Sequence, residues 1–308
     1  MRVFYGFGGL EKIRNAVVTT GTFDGVHYGH KIILRRLNKL ARQNKGESVL
    51  ISFYPHPRKV LYPDTLGKDL RLIASMDEKI ELLEREGLDN LVFVNFTPEF
   101  AHISGQEFIE KYVCASLKPK VIVVGFNHHF GHNKEGDYGY LKSVADHYGF
   151  AAEEIPEQEV QNETVSSTEI RKALSDGYIQ RVNAYLDHYY FITALCSESK
   201  MKISLNGDHH YLLRVEDEEK LLPLAGSYAV SIPVNGTVIR GLAVLPPHKG
   251  VAVEAGLTVL DDAVPPLPPG NNVKVNFHKR MSGFTGNSQA DLLKVPESLV
   301  SETRELVY

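Results

Sequence analysis

Between residues 21 and 30 the chain reads Gly21-Thr22-Phe23-Asp24-Gly25-Val26-His27-Tyr28-Gly29-His30. Glycines at 21, 25 and 29 permit tight turning and close approach of the backbone to a ligand. An apolar stretch precedes this segment and a helical pattern follows it. A helix N-terminus presents unpaired N–H groups and the positive end of a dipole, which suits a polyphosphate. His27 and His30 lie three apart at that helix start, spaced to donate hydrogen bonds to the same phosphate oxygens. Two histidines that merely cap or pack are the alternative; the glycine-rich strand-to-helix setting favours the phosphate. Zinc of the metalloprotease kind needs histidines four apart within a helix and a glutamate. That spacing is absent. No Gly-Lys-Ser or Gly-Lys-Thr occurs, so this is not a Walker loop, and Gly6-Phe7-Gly8-Gly9 lacks dinucleotide spacing.

A second anion cradle is legible at Ser166-Ser167-Thr168-Glu169-Ile170-Arg171, where hydroxyls and N–H groups at a helix start stand one turn before an arginine. A plain capped helix is the other reading of these residues alone. Two loops combine aromatic with polar residues, as a flat ring with hydrogen-bonding edges would want: Ser52-Phe53-Tyr54-Pro55-His56-Pro57-Arg58 and Gly125-Phe126-Asn127-His128-His129-Phe130-Gly131. His128, His129 and His132 invite a metal reading, but adjacent histidines point to different sides of an extended loop. No metal site is expected. Asp137 is expected to serve its loop rather than catalysis.

The elements that position these residues follow from periodicity. Residues 17–21 read as a short buried strand, and 29–44 as a helix with Ile32, Ile33, Leu37, Leu40 and Ala41 on one face. Strands recur at 48–54, 91–95, 121–125 and about 151–155, with helices between them. Ser75/Glu78, Ser104/Glu107 and Ser166/Glu169 have capping-box spacing. Alternating apolar strands and amphipathic helices predict a parallel sheet covered on both faces, with ligands gathered at the carboxyl ends of its strands. After Leu186 the pattern changes to successive strands at 189–196, 202–205, 211–215, 226–233, 237–245, 251–254 and 273–278. Asn235-Gly236 is a hairpin signal, and 265–270 a proline-rich connector. A helix is expected over 296–306. The fold class is therefore α/β, with a Rossmann-like parallel domain followed by an antiparallel β-barrel and a terminal helix.

The chain has 308 residues, enough for two domains. Its formal net charge of −4 gives no global attraction to nucleic acid or anionic membrane. No apolar run approaches a membrane span and the N-terminus lacks a leader pattern, so a cytoplasmic location is expected. Cys114 and Cys196 stand apart in apolar surroundings and read as buried reduced thiols.

His-x-Gly-His in this setting resembles the nucleotidyltransferase superfamily, whose members move an adenylate by attack on an α-phosphate. A synthetase of that superfamily would carry a Lys-Met-Ser-Lys-Ser-like segment, and none is present. Four motifs in order, Gly-Thr-Phe-Asp-Gly-Val-His-x-Gly-His, Phe-x-Pro-His-Pro-Arg, Gly-x-Asn-x-x-Phe-Gly-x-x-x-x-Gly-Asp and Ser-Ser-Thr-x-Ile-Arg, resemble the bacterial bifunctional riboflavin kinase/FMN adenylyltransferase family over about residues 1–185. The resemblance implies an FMN adenylyltransferase domain at 1–185 and a riboflavin-kinase-like barrel at 186–308. It implies MgATP and FMN as substrates, with FAD and pyrophosphate as products. Carried over by motif position, Gly21, Thr22, Phe23, Gly25, His27, His30, Ser167, Thr168 and Arg171 would bind ATP. His27, His30 and Arg171 would act in catalysis, and Phe53, Pro57, Arg58 and Asn127 would hold the flavin. His129 stands where the family often has arginine or another polar residue, so its role is open.

The second half departs from the family. The kinase's Pro-Thr-x-Asn segment has no counterpart: no threonine occurs from Ala194 to Ala225, and Asn206-Gly207-Asp208-His209-His210 stands there instead. The kinase's late glutamate is also missing, since no acidic residue lies between Phe277 and Asp291. Loss of kinase chemistry is the expectation. A nucleotidyltransferase for another phosphorylated acceptor, or a non-catalytic flavin-binding protein, are the rival readings.

Overall fold

The computed structural model describes residues 1–157, 159–160, 163–198, 209–248, 252–261, 267–284, 286, 289–293 and 295–306. The strand expected at 202–205, residues 206–208 and the start of the proline connector at 265–266 lie outside them. Two compact units are present, Met1–Leu70 with Met76–Val165 and Arg71–Ser75 with Ser166–Tyr308.

In the first unit, β1 (Arg2–Tyr5) and β2 (Val17–Thr20) precede α1 (Tyr28–Gln43) and β3 (Ser48–Tyr54). Then come α2 (Pro57–Leu61), α3 (Met76–Arg85), β4 (Asn90–Asn95) and α4 (Pro98–Ala101). A helical rod follows, α5 (Gly105–Glu107) and α6 (Ala115–Leu117) flanking a π-helical stretch at Phe108–Cys114. The unit closes with β5 (Val121–Gly125), α7 (Tyr138–Tyr148), β6 (Ala151–Ile155) and a small pair, β7 (Glu159–Val160) with β8 (Glu163–Thr164). Six strands form one parallel sheet in the order β1-β4-β3-β2-β5-β6. All four residues of β2 are buried, as are the first five of β3 and four of β5. Burial on both faces explains why these strands read as continuous apolar runs rather than alternating ones. Strand order reverses between β2 and β5, the place where an open parallel sheet forms a crevice at its carboxyl edge.

Caps set the helix starts. Ser104 Oγ accepts from the Glu107 N–H at 3.1 Å, and Asp137 Oδ1 accepts from the Tyr140 N–H at 2.8 Å. Asp137 is thus the N-cap of α7. The buried face of α1 comprises Lys31, Leu34, Leu37, Asn38, Leu40 and Ala41, while Ile32 and Ile33 are half-buried. Two polar residues enter that face because each finds a partner: Lys31 Nζ lies 3.7 Å from Glu86 Oε1, and Asn38 Nδ2 donates to the Glu86 carbonyl at 2.8 Å.

The second unit opens with α8 (Ser167–Ser175) and α9 (Ile179–Leu186). It continues through β9 (Phe191–Glu198), β10 (His210–Val215), β11 (Gly226–Val234), β12 (Thr237–Leu245), β13 (Val253–Val259) and β14 (Asn272–Gly283), and ends in α10 (Glu297–Arg304). The strands close as an antiparallel barrel in the order β10-β13-β12-β11-β14-β9, which leaves no open edge. Asn235 and Gly236 both have positive φ, 49° and 81°, and join β11 to β12 as a two-residue hairpin turn. β14 is twice the expected length, and its pairing with β11 shifts register between Ser227 and Tyr228 and again between Ala229 and Val230. Such bulges bend a strand around a small barrel. Tyr228, Val230, Leu242, Leu257, Val275 and Phe277 are wholly buried. Among the described residues no helix is long and apolar enough to cross a membrane.

Register between β3 and the start of β4 is held by one buried hydroxyl. Ser48 Oγ donates to Asp89 Oδ2 at 2.9 Å and accepts from the Asp89 N–H at 3.0 Å. Ser48→Ala is expected to cost about 1–2 kcal/mol, the loss of these paired bonds, read as a lowered urea midpoint with an unchanged m-value.

Candidate active site

At the carboxyl end of β2 the chain turns through Gly21–His27 before α1 begins. Phe23, Gly25 and Val26 take positive φ, 48°, 77° and 43°. For a β-branched residue this is a sparsely populated conformation, and Val26 holds it while fully buried. Gly21, at φ 155°, lies under the Phe23 ring: a Cβ there would meet Phe23 Cε2 at 2.9 Å. A side chain at 21 would therefore displace the phenyl ring. The turn is tied to β3 by the Gly21 N–H on the Ile51 carbonyl at 3.0 Å and Ser52 Oγ on the Thr22 carbonyl at 3.2 Å.

The turn builds a stack of three rings. Phe23 lies on His30 with centroids 4.4 Å apart, and His30 lies on His27 at 3.6 Å, both near parallel. His27 is the N-cap residue of α1 by backbone, its carbonyl accepting from the Lys31 N–H at 3.0 Å, and its side chain makes no cap hydrogen bond. The imidazole is thereby left to the stack rather than to the helix. His30 Nδ1 is shielded from solvent with no hydrogen-bond partner among the described residues. Burial, then His27, then Lys79 hold the His30 imidazole well below the ordinary histidine value of 6.5. Two imidazoles in face contact cannot both carry charge cheaply, and in this stack His30 is the one held toward its neutral form.

The turn also carries a buried acid with a buried cation from a neighbouring helix in its field. Asp24 is 1% exposed and Lys79, from α3, 7%. Burial lowers the lysine's proton affinity while Asp24 opposes that shift. The Lys79 ammonium also lies over the Phe93 ring, 5.7 Å from its centroid. Asp24 was visible as the one acid of the glycine-rich turn. Lys79 sits in Met-Asp-Glu-Lys, a helix start that reads as solvated in the sequence.

Across the crevice, the loop after β5 carries His128, whose Nε2 lies 2.8 Å from Thr20 Oγ1 at the end of β2. This contact joins the two strands at the order reversal. His129 is exposed, with Nδ1 on the Asn127 carbonyl at 2.9 Å, and His132 stacks on His102 at 5.2 Å. The three histidines thus take separate partners. Asn127 is exposed at φ 58°. Farther along, a Cβ at Gly131 would fall 2.3 Å from the Gly105 nitrogen, so this backbone crossing requires glycine.

Phe53, half-buried at the end of β3, packs edge-on against Phe96 at 5.6 Å and near Phe100 and Phe108. Pro57 occupies the first turn of α2, whose N-cap His56 Nδ1 accepts from the Arg58 N–H at 3.2 Å. The Arg58 side chain is exposed. The first unit therefore brings Gly21, Thr22, Phe23, Gly25, His27 and His30 into one turn, with Phe53, Pro57, Arg58 and Asn127 on neighbouring carboxyl-edge loops. Ser167, Thr168 and Arg171 belong to the second unit. Ser166 Oγ accepts from the Glu169 N–H at 3.3 Å and caps α8, and Arg171 Nε donates to the Arg71 carbonyl at 2.9 Å.

A family model described as FAD synthetase matches residues 10–169. The bifunctional riboflavin kinase/FMN adenylyltransferase of Listeria monocytogenes serovar 1/2a is 30% identical over 229 residues, 74% of this chain and 71% of that one. A second protein of that organism, described as FAD synthetase, is 28% identical over 235 residues, 75% of this chain and 89% of its own. A solved structure described as a macrolide-efflux protein from Streptococcus pneumoniae matches with a TM-score of 0.84 at 23% identity, covering 100% of each chain, and shares the fold.

Burial, with His129 as the lesser cause, pushes the His128 imidazole down to about 4. Its neutral form then stabilises the fold fully above 6.5, and this contribution is lost as pH falls toward about 4. Proton NMR of the free protein should show the His128 ring titrating near that lower value, with the signal identified by its absence in His128→Gln. A midpoint near the ordinary histidine value would contradict the buried contact with Thr20.

Proposed function

The chain belongs to the FAD synthetase family, and on that premise we propose that residues 1–185 carry out transfer of the adenylyl group of ATP to FMN. An oxygen of the FMN phosphate attacks the α-phosphorus, the bond to the bridging oxygen breaks, and pyrophosphate leaves with the electron pair. An ionised phosphate is already a nucleophile, so no general base is needed. The protein's task is alignment and charge stabilisation. The observation that carries this reading is the Phe23–His30–His27 stack at the strand-order reversal, with a shielded imidazole nitrogen at a helix start. Imidazole N–H groups and the first turn of α1 supply donors for the triphosphate.

His27 and His30 are assigned to the ATP phosphates, together with backbone at Gly21, Thr22, Phe23 and Gly25. Ser167, Thr168 and Arg171 are assigned to the same triphosphate because their motif accompanies the first in this family. Phe53, Pro57, Arg58 and Asn127 are assigned to the flavin. Among the described residues no three His, Cys, Asp or Glu side chains cluster as a metal site. Mg²⁺ is assigned to the MgATP substrate, held mainly by phosphate oxygens.

Residues 186–308 are assigned as a kinase-like barrel without kinase chemistry. The missing threonine and the missing late acid support this. So does the likeness, over 89% of its length, to a relative described as FAD synthetase alone.

His30→Ala and Arg171→Ala should each lower kcat/KM for ATP by about 2–4 kcal/mol of transition-state stabilisation, the scale of one charge-stabilising donor. Pyrophosphate release from the purified variants measures this, and unchanged turnover would remove the two assignments. Riboflavin supplied with MgATP should yield no FMN or FAD, whereas FMN should yield FAD. Product identification by chromatography decides it: FMN formed from riboflavin would restore the kinase, and turnover of another nucleotide-like acceptor in place of FMN would overturn the flavin assignment.

A further inference from the structure

We propose that Lys220 is a positioning residue for adenylyl transfer: it fixes the segment 71–75 that sets the direction of the Arg171 guanidinium. The inference rests on the assignment of Arg171 to the ATP phosphates, and it concerns a residue outside every nucleotide-binding motif.

Lysine is rarely buried without specific partners. Lys220 is 6% exposed, and its ammonium donates to the Ile73 carbonyl at 2.6 Å. The same ammonium lies over the barrel rings Tyr190 and Phe191, 4.5 and 5.8 Å from their centroids. A cation held this way between a carbonyl and two ring faces resists displacement more than an exposed one. Beside it, the Leu72 N–H donates to the Glu219 carbonyl and the Leu221 N–H to the Leu72 carbonyl, each at 2.7 Å. Those two bonds form a parallel bridge of Leu72 with Lys220. The Arg71 guanidinium adds a bond to the Glu218 carbonyl.

Residues 71–73 are thus fastened to 218–221 by four hydrogen bonds in a row. Their product is a fixed Arg71 carbonyl, and Arg171 Nε bonds to that carbonyl at 2.9 Å. A guanidinium carries its donors in a rigid plane, so one bond at Nε sets where the Nη pair faces. The far side of α8 is anchored to the same loop, since the Leu224 N–H donates to the Leu174 carbonyl at 3.1 Å. The loop 217–224 therefore holds both the helix that bears Arg171 and the carbonyl that aims it. Without the Lys220 bond, the Arg71 carbonyl gains freedom and Arg171 must be ordered when ATP binds.

The test uses the full chain. Lys220→Met should raise KM for ATP about tenfold, the scale of a misplaced binding group, with kcat and KM for FMN changed less than about threefold. Lys220→Arg keeps a donor and a cation over the rings and should restore KM for ATP. In an Arg171→Ala background, Lys220→Met should add no further loss, because both act through one group. Should the methionine variant fail to fold, Lys220→Gln takes its place with the same readings. If Arg171→Ala impairs ATP use while the Lys220 variant does not, the positioning role alone is wrong. Multiplying losses in the double variant would also overturn it, pointing to general destabilisation. If Arg171→Ala leaves ATP kinetics intact, the phosphate assignment itself fails and the inference goes with it.

Discussion

A ring stack can exist only where the backbone lets it, and the contact of Phe23 on His30 on His27 sets the terms for its surroundings. Left-handed backbone at Phe23, Gly25 and Val26 shapes the turn in which the phenyl ring lies over Gly21 and on the imidazole. The stack consumes ring faces, leaving ring edges as the means of contact with a ligand. It also discourages charge, because burial and the neighbouring imidazole both act against a proton on His30. The turn thus presents dipoles and N–H groups more than full positive charges. Fixed donors of that kind need not reorganise as charge shifts during reaction.

The buried charged residues answer a different need. Asp24 and Lys79 are almost wholly buried, and Lys31 pairs at 3.7 Å with Glu86, which also meets Arg35 at the same distance. Isolated charges there would be costly, and opposite charges brought together make their burial tolerable. Glu86, just past the end of α3, thereby holds two cations of α1.

Much of this was legible in the sequence. The strands at 48–54, 121–125 and 151–155 and the hairpin at Asn235-Gly236 appear where periodicity and turn chemistry place them. Other features depend on tertiary partners. β1 is a four-residue edge strand whose ends are exposed, so its pattern carries no signature until β4 pairs with it. The α1 face was misjudged by counting apolar residues alone: Lys31 and Asn38 are inside because Glu86 is there to receive them. β14 extends to residue 283 through two register shifts that no alternation rule anticipates. At the site, the glycines and histidines announced themselves by type and spacing. Thr20 and Lys79 did not, since a threonine ending a strand and a lysine starting a helix are unremarkable until the fold supplies His128 and Asp24.

The barrel raises a question of economy that the contacts within its own unit address. Kinase chemistry is not the one thing such a domain can be kept for. Helix α9 is fastened to this barrel, Asn183 Nδ2 donating to the Phe277 carbonyl at 2.8 Å and Asn183 Oδ1 accepting from the Tyr190 N–H at 2.7 Å. Gly177, between α8 and α9, has no room for a side chain because Arg280 of β14 lies against it, with Cδ only 2.9 Å from a Cβ placed there. Arg280 in turn donates to the Ala225 carbonyl at 2.9 Å. The helix that bears Ser167, Thr168 and Arg171 is therefore folded as part of the barrel's own unit.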